Sequence, residues 1–147
     1  MSTIRLNKGE IQSYRYLMDL FAAEFEDKQS YSEHPPSEIY LNKLLGNENM
    51  IFLVEKRAGA VVGGLVAYVL NKFEKERSEV YIYDLAVQTA FRRQGIATQL
   101  INSLKSIAKQ LGAWVIFVQA DYGDEPAIKL YESLGRKEEV LHFDISV

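Results

Sequence analysis

The stretch that decides the fold is residues 81–98, which read YIYDLAVQTAFRRQGIAT. Residues 81–87 are apolar or aromatic at nearly every position, a pattern typical of a β-strand. A basic loop with one glycine, Gly95, follows, and apolar residues then recur at helical spacing. The order along the chain is therefore strand, glycine-containing turn and helix start.

The start of that helix predicts a binding site for an anion. The first backbone N–H groups of a helix have no partner within the helix, and the helix dipole adds positive charge there. Gly95 carries no side chain that would block close approach, and Arg92 and Arg93 add positive charge. A pyrophosphate suits such a site. The alternative is that Gly95 serves only a tight turn and that the arginines are solvated, since short glycine motifs recur by chance.

The residues before this stretch predict a helical opening and a hairpin. Apolar spacing predicts a helix over 11–25, and Ser37 is placed to cap a second short helix that ends near Gly46. The polar segment between them is expected to be a loop. The apolar runs 50–54 and 61–70 predict a β-hairpin.

The rest of the chain predicts alternating strands and helices. A strand over 79–87 is expected to pair antiparallel with its predecessor, and a helix over 95–111 follows. The apolar run 114–118 is typical of a strand covered on both faces, Pro126 starts a helix that ends at Gly135, and a last strand is expected over 138–145. These elements predict an α+β fold, with a mixed, mostly antiparallel sheet flanked by helices.

Composition narrows the class of protein. A chain of 147 residues with 48% hydrophobic residues fits a single domain over residues 1–147. The absence of cysteine excludes disulfides and a thiol nucleophile and favours an intracellular location. The two histidines, His34 and His142, are too isolated to indicate a metal site, so no metal is expected.

Charge and hydropathy restrict the kinds of partner that the protein is expected to bind. The N-terminal residues contain no apolar core of a leader peptide, and no apolar run approaches the roughly 20 residues that span a bilayer, so we expect a cytoplasmic protein without a membrane partner. A net charge of −3 argues against nucleic acid and suits a cationic acceptor.

Three motifs resemble the GCN5-related N-acetyltransferase superfamily. The segment Arg92-x-x-Gly95-x-Ala97 resembles its acyl-CoA pyrophosphate loop, and Asp84-Leu85-Ala86-Val87 and Ala127-x-x-Leu130-Tyr131-x-x-x-Gly135 resemble segments on either side. Residues 81–87, 118–124 and 142–144 look like those of the type I aminoglycoside 3-N-acetyltransferases. That likeness extends from about Asp19 to Asp144.

The resemblance implies acetyl transfer from acetyl-CoA to an aminoglycoside antibiotic, at its 3-amine, with resistance as the result. The cofactor-binding residues that it implies are Leu85, Val87, Arg92, Arg93, Gln94, Gly95, Ile96, Ala97 and Thr98. The strand residues would bind the pantetheine arm, the helix start would bind the pyrophosphate, and an N–H near Val87 would support the oxyanion.

Two residues are the catalytic candidates. Tyr131 matches the superfamily's general acid toward the CoA thiolate, although packing on the last helix is its alternative role. Asp84 interrupts an apolar run, where a carboxylate is costly without a donor, water or cation, so it could orient the amine or deprotonate it through water. A structural hydrogen-bond acceptor is the alternative. Tyr83 stands where relatives often carry a glutamate base, so no base is carried over.

Acidic and aromatic side chains predict a groove for a polycation. Its expected residues are Tyr83, Asp84, Asp121, Tyr122, Asp124, Glu125 and Asp144. Glu24, Glu26 and Asp27 lie at the end of the first helix, where the dipole disfavours negative charge, and so indicate a local cationic partner. A polyamine or a protein amine as acceptor and a non-catalytic acyl-CoA-binding module remain open, as does a homodimer.

Overall fold

The computed structural model describes residues 2–147, which group into two compact units, one ending at Phe117 and one comprising Val118–Val147. The elements are β1 (Ser2–Arg5), α1 (Ile11–Glu24), α2 (Lys28–Tyr31), α3 (Glu38–Leu45), β2 (Met50–Arg57), β3 (Ala60–Asn71), β4 (Ser78–Val87), a 3₁₀ turn (Thr89–Phe91), α4 (Ile96–Gln110), β5 (Ala113–Val118) and α5 (Glu125–Leu134). A single domain over the whole chain stays a prediction.

The strands form one five-stranded mixed sheet in the order β1-β2-β3-β4-β5. The first three neighbouring pairs are antiparallel, and α4 connects β4 to β5 at the far edge. Helices flank this sheet, so the predicted α+β class and its mixed sheet are confirmed.

Most predicted elements are found within a few residues of their expected bounds. Ser37 caps α3 by accepting the N–H of Tyr40 at 3.2 Å, and Gly46 follows the helix. Besides the 3₁₀ turn, two elements were not predicted. Strand β1 is only four residues long and exists through its pairing with β2, and the single turn α2 lies in the segment expected to be a loop, held by Asp27, whose carboxylate accepts the N–H of Ser30.

Two predictions about the later strands are wrong. No residue of β5 is fully buried and Trp114 is 54% exposed, because β5 is the edge strand and borders β4 alone. The expected strand over 138–145 does not form within the described residues. An apolar run forms a strand only where its backbone groups pair with a neighbouring strand, and Leu141 and Phe143 of this segment are exposed.

Helices α1 and α3 pack on one face of the sheet and α4 on the other. Leu17 and Phe21 of α1 are fully buried against Val66 of β3, in a core that α3 completes. On β3, a Cβ at Gly63 would lie 2.8 Å from the side chain of Ile96 in α4. The absence of a side chain at Gly63 therefore allows α4 to pack closely on the sheet. Among residues 2–147, none of the helices combines the length and apolar character that crossing a bilayer requires.

Candidate active site

Strand β4 contains a bulge at Tyr83, and this bulge decides which way Asp84 faces. On β3, Val66 lies opposite Asp84. The next residue, Ala67, lies opposite Ile82, so Tyr83 has no partner across the ladder. Residues directly opposite each other share a face, and neighbours along a strand face opposite sides. The extra residue therefore turns Asp84 onto the face of Val66, where α1 packs, instead of the face of Ile82.

Aromatic side chains surround Asp84 on this face. The ring of Tyr83 contacts Tyr68 and Tyr81 edge-on, with ring centroids 5.7 Å apart in both pairs. Tyr81 stacks on Phe117 with centroids 4.6 Å apart. Tyr83 is 60% exposed, so part of this surface is open to a ligand. The set that we name the tyrosine face consists of Tyr31, Tyr68, Tyr81, Tyr83 and Asp84.

The Asp84 carboxylate is half-buried and has one hydrogen-bond partner on the tyrosine face. Its Oδ2 atom accepts the hydroxyl of Tyr31 at 2.7 Å. Burial raises the pKa of Asp84 above its ordinary value, and the hydrogen bond from Tyr31 opposes that rise. Burial, then Tyr83, then Asp84 raise the pKa of Tyr68 and of Tyr81, so these phenols stay protonated at neutral pH. One carboxylate among protonated phenols suits a cationic ligand that also carries hydroxyl groups.

Residues 88–98, which we name the glycine turn, connect β4 to α4. Arg93 has φ of +62° and Gly95 has φ of +77°, both in the left-handed region. Among residues 2–147, no side chain caps the start of α4, so the amides of its first turn have no side-chain partner. A Cβ at Gly95 would meet nothing within 4 Å, so the space beside the turn is open. This arrangement offers backbone N–H groups to an anion.

Arg92 anchors the glycine turn to the end of α1. Its Nη2 atom lies 2.7 Å from Oε1 of Glu24, and its Nε donates to the carbonyl of Val87 at 3.3 Å. The hydroxyl of Thr89 donates to the same Glu24 oxygen at 2.9 Å. Of the three acidic residues expected to meet a cationic partner, Glu24 therefore meets Arg92 and so holds the glycine turn against the end of α1, whereas Asp27 caps α2. Arg92 stays half-exposed on its other side.

The other expected cofactor residues lie on either side of this anchor. Leu85 and Val87 are half-buried at the end of β4, opposite Leu65 and Gly63 of β3. Arg93 and Gln94 are exposed. In the first turn of α4, Ile96 is buried, and Ala97 and Thr98 are partly exposed. Among the described residues no carboxylate forms an ion pair with Arg93. The structure thus brings the end of β4 and the glycine turn together.

Two of the expected acidic residues beyond Phe117, Asp124 and Glu125, lie at the start of α5. Asp124 caps α5 by accepting the N–H of Ala127 at 3.4 Å, and Glu125 lies in the first turn of that helix. Carboxylates stabilise a helix at this end, so both have a structural role.

Three further expected residues lie in exposed positions. Asp121 is exposed, the hydroxyl of the exposed Tyr122 lies 3.3 Å from Oε1 of Glu139, and Asp144 lies 2.9 Å from Nε2 of His142. A role of these residues in binding an acceptor stays a prediction.

Tyr131, the expected general acid, lies on α5. Burial, and then the charge of Asp124, raise the pKa of Tyr131 to about 12. Its phenol is therefore protonated at neutral pH, as a proton donor has to be. Its catalytic role is untested and stays a prediction.

Two residues of this site were missed from the sequence. Tyr31 lies in the segment expected to be a loop, and its hydrogen-bond partner is far away along the chain. An aromatic residue after a polar run gives no signal that its hydroxyl will meet a carboxylate of β4. Tyr68 was also missed, because one tyrosine in an apolar strand is typical of packing.

The profile of the Acetyltransferase (GNAT) family matches residues 14–135 of the chain. The catalytic subunit of the N-terminal acetyltransferase A complex from Arabidopsis thaliana is 29% identical over 123 residues, which are 81% of this chain. The chain spans 62% of the length of that relative.

Two solved structures cover nearly the whole chain. The aminoglycoside acetyltransferase HMB0005, from an uncultured soil metagenomic sample, is 49% identical, with a TM-score of 0.97 over 99% of this chain and 97% of that one. The aminoglycoside acetyltransferase meta-AAC0020, also from soil, in complex with sisomicin, is 34% identical, with a TM-score of 0.91 over 99% of this chain and 95% of that one.

Proposed function

The chain belongs to the acetyltransferase (GNAT) family, and from that premise we propose that it transfers the acetyl group of acetyl-CoA to an amine of an aminoglycoside. The similar structures are aminoglycoside acetyltransferases, and one of them holds sisomicin. The observation in this chain that carries the proposal is the bulge at Tyr83. It directs a single carboxylate, Asp84, onto an open tyrosine-lined surface, on the strand that leads into the glycine turn.

The glycine turn is proposed to bind the cofactor. The free amides at the start of α4, together with Arg93, complement the charge of a pyrophosphate. Leu85 and Val87 would then line the pantetheine arm, and the N–H of Val87 would support the oxyanion, since the N–H of Gln88 already donates to the carbonyl of Val62. Most of the rate gain would come from holding the thioester beside the amine.

The tyrosine face is proposed to bind the acceptor. An aminoglycoside presents ammonium groups and hydroxyl groups on sugar rings. The Asp84 carboxylate complements an ammonium group, while the exposed edges of Tyr68 and Tyr83 offer flat apolar surface and hydroxyl donors.

The proposed reaction is direct attack of the neutral amine on the thioester carbonyl carbon. The C–N bond forms as the C–S bond breaks, the thiolate takes up a proton, for which Tyr131 is the predicted donor, and the nitrogen releases its second proton to water, from which Tyr131 is reprotonated. The amine first loses a proton, which Asp84 accepts directly or through water. Because burial raises the pKa of Asp84, this carboxylate is a stronger base than an exposed aspartate.

The test is turnover with a panel of amines. Purified protein is given acetyl-CoA and either sisomicin, a gentamicin-type drug, spermidine or a peptide with a free N-terminus, and CoA release is followed as kcat/KM. We expect kcat/KM for the aminoglycosides to exceed that for the other amines at least tenfold. The reason is that one carboxylate beside several tyrosine rings complements an ammonium group on a sugar ring. Product mass and NMR identify the acetylated nitrogen, with the 3-amine expected.

Two outcomes would contradict the proposal. If acetyl-CoA binds but no aminoglycoside is acetylated, the acceptor assignment is wrong. If the peptide or spermidine is preferred, the acceptor is a protein amine or a polyamine.

Expression in a susceptible bacterium measures resistance through the minimal inhibitory concentration, with Asp84→Asn as the matched control. The cytoplasmic location and a homodimer stay predictions, the latter measured by molar mass in solution.

A further inference from the structure

The side chain of Tyr31 reaches Asp84 from another element of the fold. Tyr31 ends the single turn α2, and its hydroxyl donates a 2.7 Å hydrogen bond to Oδ2 of Asp84 on β4. Among the described residues, Oδ1 of Asp84 has no hydrogen-bond partner. One carboxylate oxygen is therefore bound and the other is available to a ligand.

Aromatic packing holds the ring of Tyr31 in place. Phe21 contacts it edge-on with centroids 5.6 Å apart, and Phe25 contacts it with centroids 5.7 Å apart. Phe21 is fully buried in the core, and Phe21 and Phe25 stack on each other at 5.4 Å. Since Phe21 belongs to the buried core and Phe25 stacks on it, these two rings hold the Tyr31 ring, and so its hydroxyl, in position relative to β4.

We infer that Tyr31 is a positioning residue for the proposed acetyl transfer, holding the Asp84 carboxylate so that its free oxygen meets the acceptor amine. This inference rests on the proposed function. A carboxylate at a strand bulge rotates about its side-chain torsions unless a partner holds it. A fixed hydrogen-bond donor removes that freedom before the acceptor binds, so the amine is aligned with the thioester more often.

The hydrogen bond from Tyr31 affects the pKa of Asp84, so its effect can be measured by varying the pH. The titratable groups that face Asp84 or its tyrosine neighbours are Asp27 and Tyr31 from α2 and its cap, Tyr40 from α3, Tyr68 from β3, and Tyr81 and Tyr83 from β4. None of these is a cation. Burial raises the pKa of Asp84, and the bond from Tyr31 favours the ionised form and lowers it. Removing the donor is therefore expected to raise this pKa further.

The experiment is Tyr31→Phe, which keeps the ring and removes only the donor. We expect kcat to fall about tenfold, as for loss of a hydrogen bond to a charged group, while KM for acetyl-CoA stays unchanged. The acidic limb of kcat/KM against pH should move to higher pH, because a weaker acid needs a higher pH to ionise. The matched control is Tyr16→Phe on α1, whose ring is 47% exposed, and its kinetics should stay within about twofold of wild type.

A second measurement separates this inference from the proposed function. Carbon-13 NMR of the Asp84 carboxyl carbon, without any acceptor, gives its titration midpoint in wild type and in Tyr31→Phe. A higher midpoint in the variant supports the coupling, and an unchanged midpoint overturns it. Wild-type kcat together with an unmoved acidic limb also overturns the positioning role. A shifted midpoint in a protein that acetylates no aminoglycoside supports the coupling and overturns the proposed function.

Discussion

The tyrosine face includes residues of β4 and the glycine turn directly follows that strand, yet the two regions present different kinds of groups. The turn offers backbone amides in a conformation set by Arg93 and Gly95, whose φ angles are +62° and +77°. The face offers side chains that come from α2, β3 and β4. A backbone site suits a constant part of a cofactor such as a pyrophosphate, whereas a side-chain site can vary with the acceptor. Substitutions in the two regions should therefore have separable kinetic effects.

The largest effect is expected on the tyrosine face, from Asp84→Asn. The amide still accepts the hydroxyl of Tyr31 but carries no charge and no basicity, so kcat should fall about 100-fold, within the usual range for a catalytic acid or base. The dissociation constant for acetyl-CoA, measured by calorimetry, should not change. The control is Asp19→Asn, at an exposed position of α1, which should behave as wild type. A variant that lost cofactor binding instead would show that the two regions are not separable.

A smaller effect is expected in the glycine turn, from Gly95→Val. A branched side chain disfavours the left-handed backbone conformation at φ of +77°. Keeping the turn in that conformation costs about 2 kcal/mol, which corresponds to a roughly 30-fold weaker affinity for acetyl-CoA. Gly59→Val is a matched control, because Gly59 has φ of +79° and, like Gly95, open space at its Cβ, but lies in the β2–β3 turn. Equal losses of affinity in both variants would mean that strain alone, and not the turn, is responsible.

The smallest effect is expected from Glu24→Gln, which removes the charge that holds Arg92. Because Arg92 is half-exposed, the ion pair is screened by water, and KM for acetyl-CoA should rise only about threefold. Glu38→Gln breaks an exposed pair with Arg15 on another part of the molecule and serves as control. An unchanged KM in Glu24→Gln would show that the turn keeps its shape without this anchor.

The sequence predicted most of the fold because its signals are local. Apolar spacing gave α1 and α4, the cap and the following glycine gave α3, and short continuous apolar runs gave the central strands. It failed for β1, for α2 and for residues 138–145. The existence of a strand depends on a partner elsewhere in the chain, and a single helical turn is too short to leave a periodic pattern.

The sequence by itself determined the glycine turn and the presence of a costly acid in β4. Gly95 directly after a basic loop and before a helical period is a local pattern, and local patterns set backbone conformation. Only the tertiary structure decided the direction and the partner of that acid. The bulge at Tyr83 depends on the register between β3 and β4. The hydrogen bond from Tyr31 depends on the packing of α1 against the sheet, which places α2 beside β4. Side chains distant along the chain meet through packing, which no short window of sequence records.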